Sequence, residues 1–291
     1  MDSTLAKGLL TNFFEGYNST VTYWQEVATK VPSTARSENY AWIGSLPRMR
    51  KMEGERVPKK LLAHTYTIVN EEYEASIEVK HADIKDDQTG QYGIQAKSIG
   101  ESAKSFPDEL IFEQLLPNGT TELAYDGQYF FDTDHPVGDT GATQSNKLTA
   151  ALSATTFNTA RGQLRRMKDD SGRPTINRNM DLLLVVPPEL ENTAEQILEA
   201  ERDSSGATNT NKGKARILVV DWLTDTNNWY LLNVAGVIKP FVLQEREFIP
   251  FEALEEGTEP NFMRKKNYYG TYWRGNAGYG LYQKAIGNIV A

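Results

Sequence analysis

An unbroken apolar run from Leu182 to Val186, closed by Pro187 and Pro188, sets the tightest limit on the fold of this chain. Such a run has no polar face to offer water, so it predicts a strand covered on both sides. Pro187 ends the strand, and Pro188 suits the first turn of a following helix. Leu190, Ala194, Ile197 and Leu198 supply that helix with one apolar stripe. A polar loop at 203–214 (DSSGATNTNKGK) comes next, then apolar strands at Ile217–Val220 and Trp229–Val234, joined through 224–228. The order strand, helix, loop, strand, strand makes a compact α/β module over roughly 181–240.

The chain before this module has a different texture. Residues 1–45 mix small, polar and aromatic side chains and read as an arm. Leu5, Leu9, Phe13 and Phe14, then Tyr23, Trp24 and Val27, predict two short helices that need a partner surface. Pro32, Ser33, Thr34 and Ser37 break the middle, and Trp42, Ile43 and Leu46 form an apolar patch before Pro47. Residues 48–60 (RMRKMEGERVPKK) are charged and have little to bury. His64–Val69 and Tyr73–Val79 read as strands, the second with Tyr73, Ala75, Ile77 and Val79 at period two. With Asn70–Glu72 as the turn, they predict an antiparallel hairpin that lies on a neighbour.

Asp86 and Asp87 open a helical region. Tyr92, Ala96, Ile99, Ala103, Phe106 and Leu110 share its buried stripe, Pro107 should kink or divide it, and Pro117–Gly119 ends it. Residues 120–150 look irregular. A second helix spans 155–168, with Phe157, Ala160, Leu164 and Met167 on one face and Asp170–Gly172 as its stop. Beyond the module, a strand at Phe241–Phe248 and an aromatic-rich tail complete an α+β protein.

With 291 residues, the chain can form one large or two intimate domains. Cysteine is absent, which excludes disulfides, thiolate metal sites and a cysteine nucleophile, and suits a reducing cytoplasm. The N-terminus lacks signal-peptide features, and no stretch reaches the roughly 20 apolar residues that span a bilayer. A net charge of −8 argues against a dedicated DNA binder, and it fits an ordinary acidic cytoplasmic protein as well as a wall that encloses DNA without gripping it.

Asp132, Asp134 and His135 are the most metal-like cluster, because two carboxylates and an imidazole could hold a divalent ion. No second histidine stands at metal spacing beside them, and a Pro-bounded turn explains the aspartates as well. The spacing from Gly206 to Gly213 and Lys214 does not fit a P-loop. Arg264, Lys265, Lys266 and Arg274 among Tyr268, Tyr269, Tyr272, Trp273, Tyr279 and Tyr282 could bind single-stranded nucleic acid. Core and interface packing is the better reading, since aromatics favour strands. No nucleophile elbow occurs, and Glu71, Glu72, Glu255 and Glu256 read as turn or surface residues. No catalytic residue, cofactor-binding residue or metal ligand is therefore assigned.

Several segments together carry a family resemblance: Ala41–Pro47 (AWIGSLP), Ala63–Val69 (AHTYTIV), Asp83–Gln88 (DIKDDQ), Tyr125–Gly127 with Phe130–Pro136 (FFDTDHP), Leu184–Glu191 (LVVPPELE), Phe262–Lys265 and Asn276–Gly280. In order and spacing the chain resembles the major head (capsid) subunits of Mu-like tailed phages over nearly its whole length. The resemblance implies the Hong Kong 97-type major capsid fold. In that plan 1–45 is the N-terminal arm and 46–85 the extended hairpin loop. Residues 86–180 are the peripheral domain with its spine helix, 181–240 the axial domain, and 241–291 the return to the peripheral domain. The implied function is structural, not enzymatic. Pentamers and hexamers would form an icosahedral head around double-stranded DNA, with a separate scaffolding protein, a portal and decoration proteins as partners and no membrane. Such a virion protein would be assembled in the bacterial host cytoplasm. Lys51, Lys59 and Lys60 lie where some relatives cross-link to a neighbouring asparagine. The competing readings are a cellular nanocompartment shell of the same fold and a metal-dependent enzyme using Asp132, Asp134 and His135.

Overall fold

The computed structural model describes residues 4–40, 66–80, 82–83, 89–138, 141–169, 172–174, 177–203, 205–255, 258, 263 and 265–290. Helices α1 (Thr4–Ser19) and α2 (Trp24–Val27) lead into β1 (Ala28–Pro32) and β2 (Ser37–Asn39). Strands β3 (Thr67–Val69) and β4 (Glu71–Lys80) precede the long helix α3 (Thr89–Asp108). Short strands β5 (His135–Pro136), β6 (Thr143–Gln144) and β7 (Lys147–Leu148) come before α4 (Ala154–Arg166). Then follow β8 (Leu182–Val186), α5 (Glu191–Leu198), β9 (Arg216–Val219), β10 (Trp229–Asn233), β11 (Phe241–Leu254), β12 (Lys266–Tyr279) and β13 (Ala285–Asn288).

The unbroken apolar run is β8, and every residue of it is buried. Leu183 and Val185 face a core with Phe131, Tyr230 and Leu232, while Leu182, Leu184 and Val186 face α4 and α5. Parallel pairing of β8 with β9 leaves room for α5 as the crossover between them. The sheet does not close within 181–240, however. Its order is β7-β13-β10-β8-β9, so the last strand of the chain sits beside β10 in its interior. Gly287 permits this, because the Phe131 ring lies 2.8 Å from where a Cβ would stand.

The second large sheet has the order β1-β11-β12-β4. Along β12 the burial alternates, and Tyr269 and Trp273 point inward. Helices α1 and α3 cover that face, with Leu9, Phe13 and Ala96 packed against Phe251 of β11 and Tyr269 of β12. The segment read as an arm finds partners in its own chain: α1 lies along α3, and β1 runs parallel to β11 from Ala28↔Phe241 to Pro32↔Glu245.

The expected hairpin of 64–69 with 73–79 is corrected. Both strands exist, but β3 pairs with β2 and β4 pairs with β12. The cause is Asn70, which is a buried junction and not a turn residue. Its Nδ2 donates to Ser33 Oγ (2.8 Å) and Ala35 O (2.9 Å), and its Oδ1 accepts from Gln244 Nε2 (2.6 Å). The β2–β3 stem ends with Tyr40 N donating to Tyr66 O. The apolar patch at Trp42, Ile43 and Leu46, the charged stretch 48–60, Lys51, Lys59, Lys60, Asp86 and Asp87 lie outside the described residues.

Pro107 neither divides nor ends α3. The helix continues through it and widens to π geometry over Glu109–Leu115, with Leu116 N donating to Ile111 O five residues back. The helix predicted at 155–168 is α4, capped by Ser153, whose Oγ accepts from Thr156 N.

Candidate functional site

The three residues of the metal-like cluster are not brought together as a donor set. His135 is fully buried: Nδ1 lies 2.7 Å from Asp126 Oδ2, Nε2 lies 3.1 Å from Asn146 Oδ1, and the ring stacks on Tyr282 at 3.7 Å. Asp132 uses its carboxylate on the adjacent Thr133 amide (2.7 Å), and Asp134 is exposed. No group of metal-competent side chains occurs among the described residues. The partner of His135, Asp126, stands in Tyr125-Asp126-Gly127, a turn to which sequence reasoning assigned no chemical role. Asn146 reinforces the network by donating to Phe130 O (2.7 Å) and Tyr282 O (3.3 Å), and its own carbonyl accepts from Gly287 N of β13 (2.9 Å).

The basic and aromatic tail divides by face. Tyr269 packs on Phe251, Trp273 on Phe106 and Tyr73, and Tyr279 on Phe130, all inward. On the other face Lys266 pairs with Glu78 (2.6 Å) and Arg274 lies 3.5 Å from Glu72. Core packing absorbs those buried rings, and carboxylates answer these cations. The loop at 203–214 folds onto the end of α5. Asn209 Nδ2 donates to Ile197 O and Ala200 O, and Gly213 N donates to Leu198 O. Asp203 accepts from Ser205 and Ala207, and those bonds hold its carboxyl below the usual range.

One buried carboxylate escaped the sequence reading. Asp108, 2% exposed at the end of α3, accepts from Tyr23 N (3.0 Å) and Trp24 N (2.6 Å) through Oδ1, and its Oδ2 also accepts from Tyr23 N (3.1 Å). Burial pushes its carboxyl up to about 6, against the pull of those two amides and of Lys104. It ties the connection between α1 and β1 to the point where α3 widens. A helical stripe followed by Pro-Asp was the signal available, but nothing local names a partner 85 residues away.

Among the described residues, no helix is long and apolar enough to cross a membrane. The arrangement is one of packed sheets with tied connections. A profile of the family described as Mu-like prophage major head subunit gpT matches residues 3–151, 146–223 and 224–289. The Mu-like prophage FluMu major head subunit of Haemophilus influenzae is 29% identical over 275 residues, which is 94% of this chain and 68% of that protein. The major capsid protein of Escherichia phage Mu is 37% identical over 135 residues, 45% of this chain and 44% of its own length. Among solved structures, a chain of the bacteriophage JBD30 procapsid superposes with a TM-score of 0.61 at 28% identity, covering 99% of this chain and 74% of that one. A virus-like particle from Pyrococcus furiosus shares the fold alone, with a TM-score of 0.55 at 12% identity over 98% of this chain and 100% of that one. The fold is the α+β Hong Kong 97-type capsid fold. The chain belongs to the family of Mu-like prophage major head subunits, which are structural capsid proteins and not enzymes.

Proposed function

We propose that this subunit assembles as pentamers and hexamers into the icosahedral head of a Mu-like tailed phage, enclosing double-stranded DNA. The observation that carries this reading is the reach of the family match, which runs through both large sheets. The virus-like particle from Pyrococcus furiosus shares the fold, so architecture alone does not identify a phage head. The family match favours the head.

In this reading 1–45 serve as the N-terminal arm and 46–85 as the extended loop. Residues 86–180 form the peripheral domain with α3 as its spine. Residues 181–240 make the axial domain, and 241–291 return to the periphery. The β2–β3 stem supports an extended loop, because it joins the two ends of 41–65. The position of β13 adds a qualification: the axial sheet also takes a strand from the return segment. A scaffolding protein, a portal and decoration proteins are the partners, and assembly takes place in the host cytoplasm. The JBD30 capsid, solved decorated with minor capsid protein trimers, supports the place for decoration proteins.

Negative-stain electron microscopy of the purified protein, alone and co-expressed with its neighbouring genes, tests the proposal. Closed shells, rings of five or six, or lattice tubes are expected. Monomers or dimers under every condition would overturn it.

A further inference from the structure

Several cations at the surface of this chain are answered by carboxylates: Lys30 by Glu245, Lys97 by Glu15, Lys212 by Glu201 and Arg216 by Glu26. One stretch concentrates cations that no such pair answers. Residues 161–178 (RGQLRRMKDDSGRPTINR) carry six bases against two acids, a local charge of +4 in a chain of −8. Arg165, Arg166, Lys168, Arg173 and Arg178 are exposed. None of the five appears in an ion pair among the described residues. The described acid of the stretch, Asp169, is buried and accepts the Arg173 amide (3.1 Å), closing the turn on itself.

The backbone is held from beneath at Lys168 and beside Arg178. Gln144 grips Lys168 on both sides, accepting from its N–H (2.8 Å) and donating to its carbonyl (3.0 Å). Buried Asn177 donates to Leu164 O (2.6 Å) and Gln283 O (2.7 Å), which fixes the strand entry beside Arg178. Gathering like charges on one surface is self-repulsive unless an anion answers them. Four of the five are arginines, whose planar forks match phosphate oxygens. No large apolar side chain is exposed between 154 and 178 among the described residues, so the patch lacks the apolar centre that a protein partner would use. A phosphodiester backbone needs none.

We propose that the outer face of the C-terminal half of α4, with the turn after it, binds the phosphate backbone of double-stranded DNA without reading its bases. The inference rests on the head-subunit reading, which puts duplex DNA inside the shell. It also refines the expectation from net charge: an acidic wall carries one local basic contact.

The test uses the full-length chain and a short fluorescein-labelled DNA duplex, read by anisotropy across a salt series. The variant R165Q/R166Q/R173Q removes three patch charges, and K30Q/K97Q/K212Q removes three from answered sites. Thermal melting establishes that both remain folded. The parent is expected to bind with a log–log salt dependence that becomes shallower by about 3 in the patch variant, roughly 0.9 for each phosphate no longer neutralised. Its affinity at the lowest salt is expected to fall on the order of tenfold or more, and the control is expected to retain the parent slope. Failure of the parent to bind duplex, or equal loss in both variants, would overturn the inference. So would capture of polyglutamate in place of duplex, which would assign the patch to an acidic protein. Electron microscopy of the same samples separates the two claims: shells that form without DNA binding sink only this inference, whereas a parent that never forms shells sinks the head-subunit reading.

Discussion

At Gly16 a Cβ would stand 2.1 Å from the Lys97 carbonyl, and at Gly100 one would stand 2.1 Å from the Phe13 carbonyl. Helices α1 and α3 therefore touch backbone to backbone, which only glycine permits at those two positions. Gly100→Ala is expected to push them apart at a cost of about 1–3 kcal/mol, read as a lower urea midpoint. Gly162 of α4 is the contrast, since no atom lies within 4 Å of its absent Cβ. Gly162→Ala is expected to raise the midpoint, stabilising by about 0.5–1 kcal/mol through helix propensity alone. If both substitutions shift the midpoint alike, contact is not what distinguishes these glycines. Asp108 supplies a pH dependence at the same scale. Its pKa rises from 3.8 to about 6 on burial, so protonation favours the folded chain. That stabilisation is complete below about pH 3.8 and is lost as pH rises through about 6. Asp108→Asn keeps an oxygen for both the Tyr23 and Trp24 amides while removing the charge. The variant is expected to gain on the order of 1–2 kcal/mol over the parent at neutral pH and to lose that advantage in acid. Parallel unfolding curves from pH 4 to pH 7.5 would refute this assignment.

Asn70 decides the pairing of two elements. Replacing it with alanine leaves buried Gln244 and Ser33 short of partners, at an expected cost of about 1–3 kcal/mol. Amide exchange should accelerate first at the β2–β3 stem, around Glu38 and Ile68. Uniform loss of protection across the molecule would mean that Asn70 supports the whole core instead. The same element shows what local pattern can and cannot reveal. The period-two burial of β4, the continuous run of β8 and the stripe on α4 follow from their own side chains, and all three were legible. The partners of those strands were not. Strand β4 pairs with β12, so that Trp273 meets Tyr73 across some two hundred residues of chain, and periodicity has no range beyond its own window. Strand β13 (AIGN) offers too short and plain a pattern to announce itself. The Asp126–His135 contact was hidden for a related reason: the cluster was read with the neighbours of His135 in sequence, while its partners come from a turn before it and from Asn146 after it.

For the whole molecule, connectivity matters more than domain boundaries. The chain leaves the five-stranded sheet after β10, builds the β11–β12 hairpin in the other sheet, and returns to place β13 between β7 and β10. The two crossings are tied together. Gly280 N donates to Pro240 O (2.8 Å), and the Lys284 ammonium, its pKa lowered by burial, donates to the carbonyls of Ala235 and Ile238. The stretch 181–240 is thus a unit of sequence but only part of a unit of folding. Without β13, Trp229 and Leu231 lose Ile286 from their core, a fully buried side chain worth about 1.5–3 kcal/mol by itself. The inner edge of β10 would also lose its ladder of hydrogen bonds. A fragment of residues 177–240 is therefore expected to melt without a cooperative transition. Joining residues 281–290 to it through a flexible linker should restore one, measured by near-ultraviolet circular dichroism around Trp229. Cooperative melting of the shorter fragment would show that the apolar run of β8 and its neighbours close a core unaided, and that the returning strand adds stability to a domain already complete.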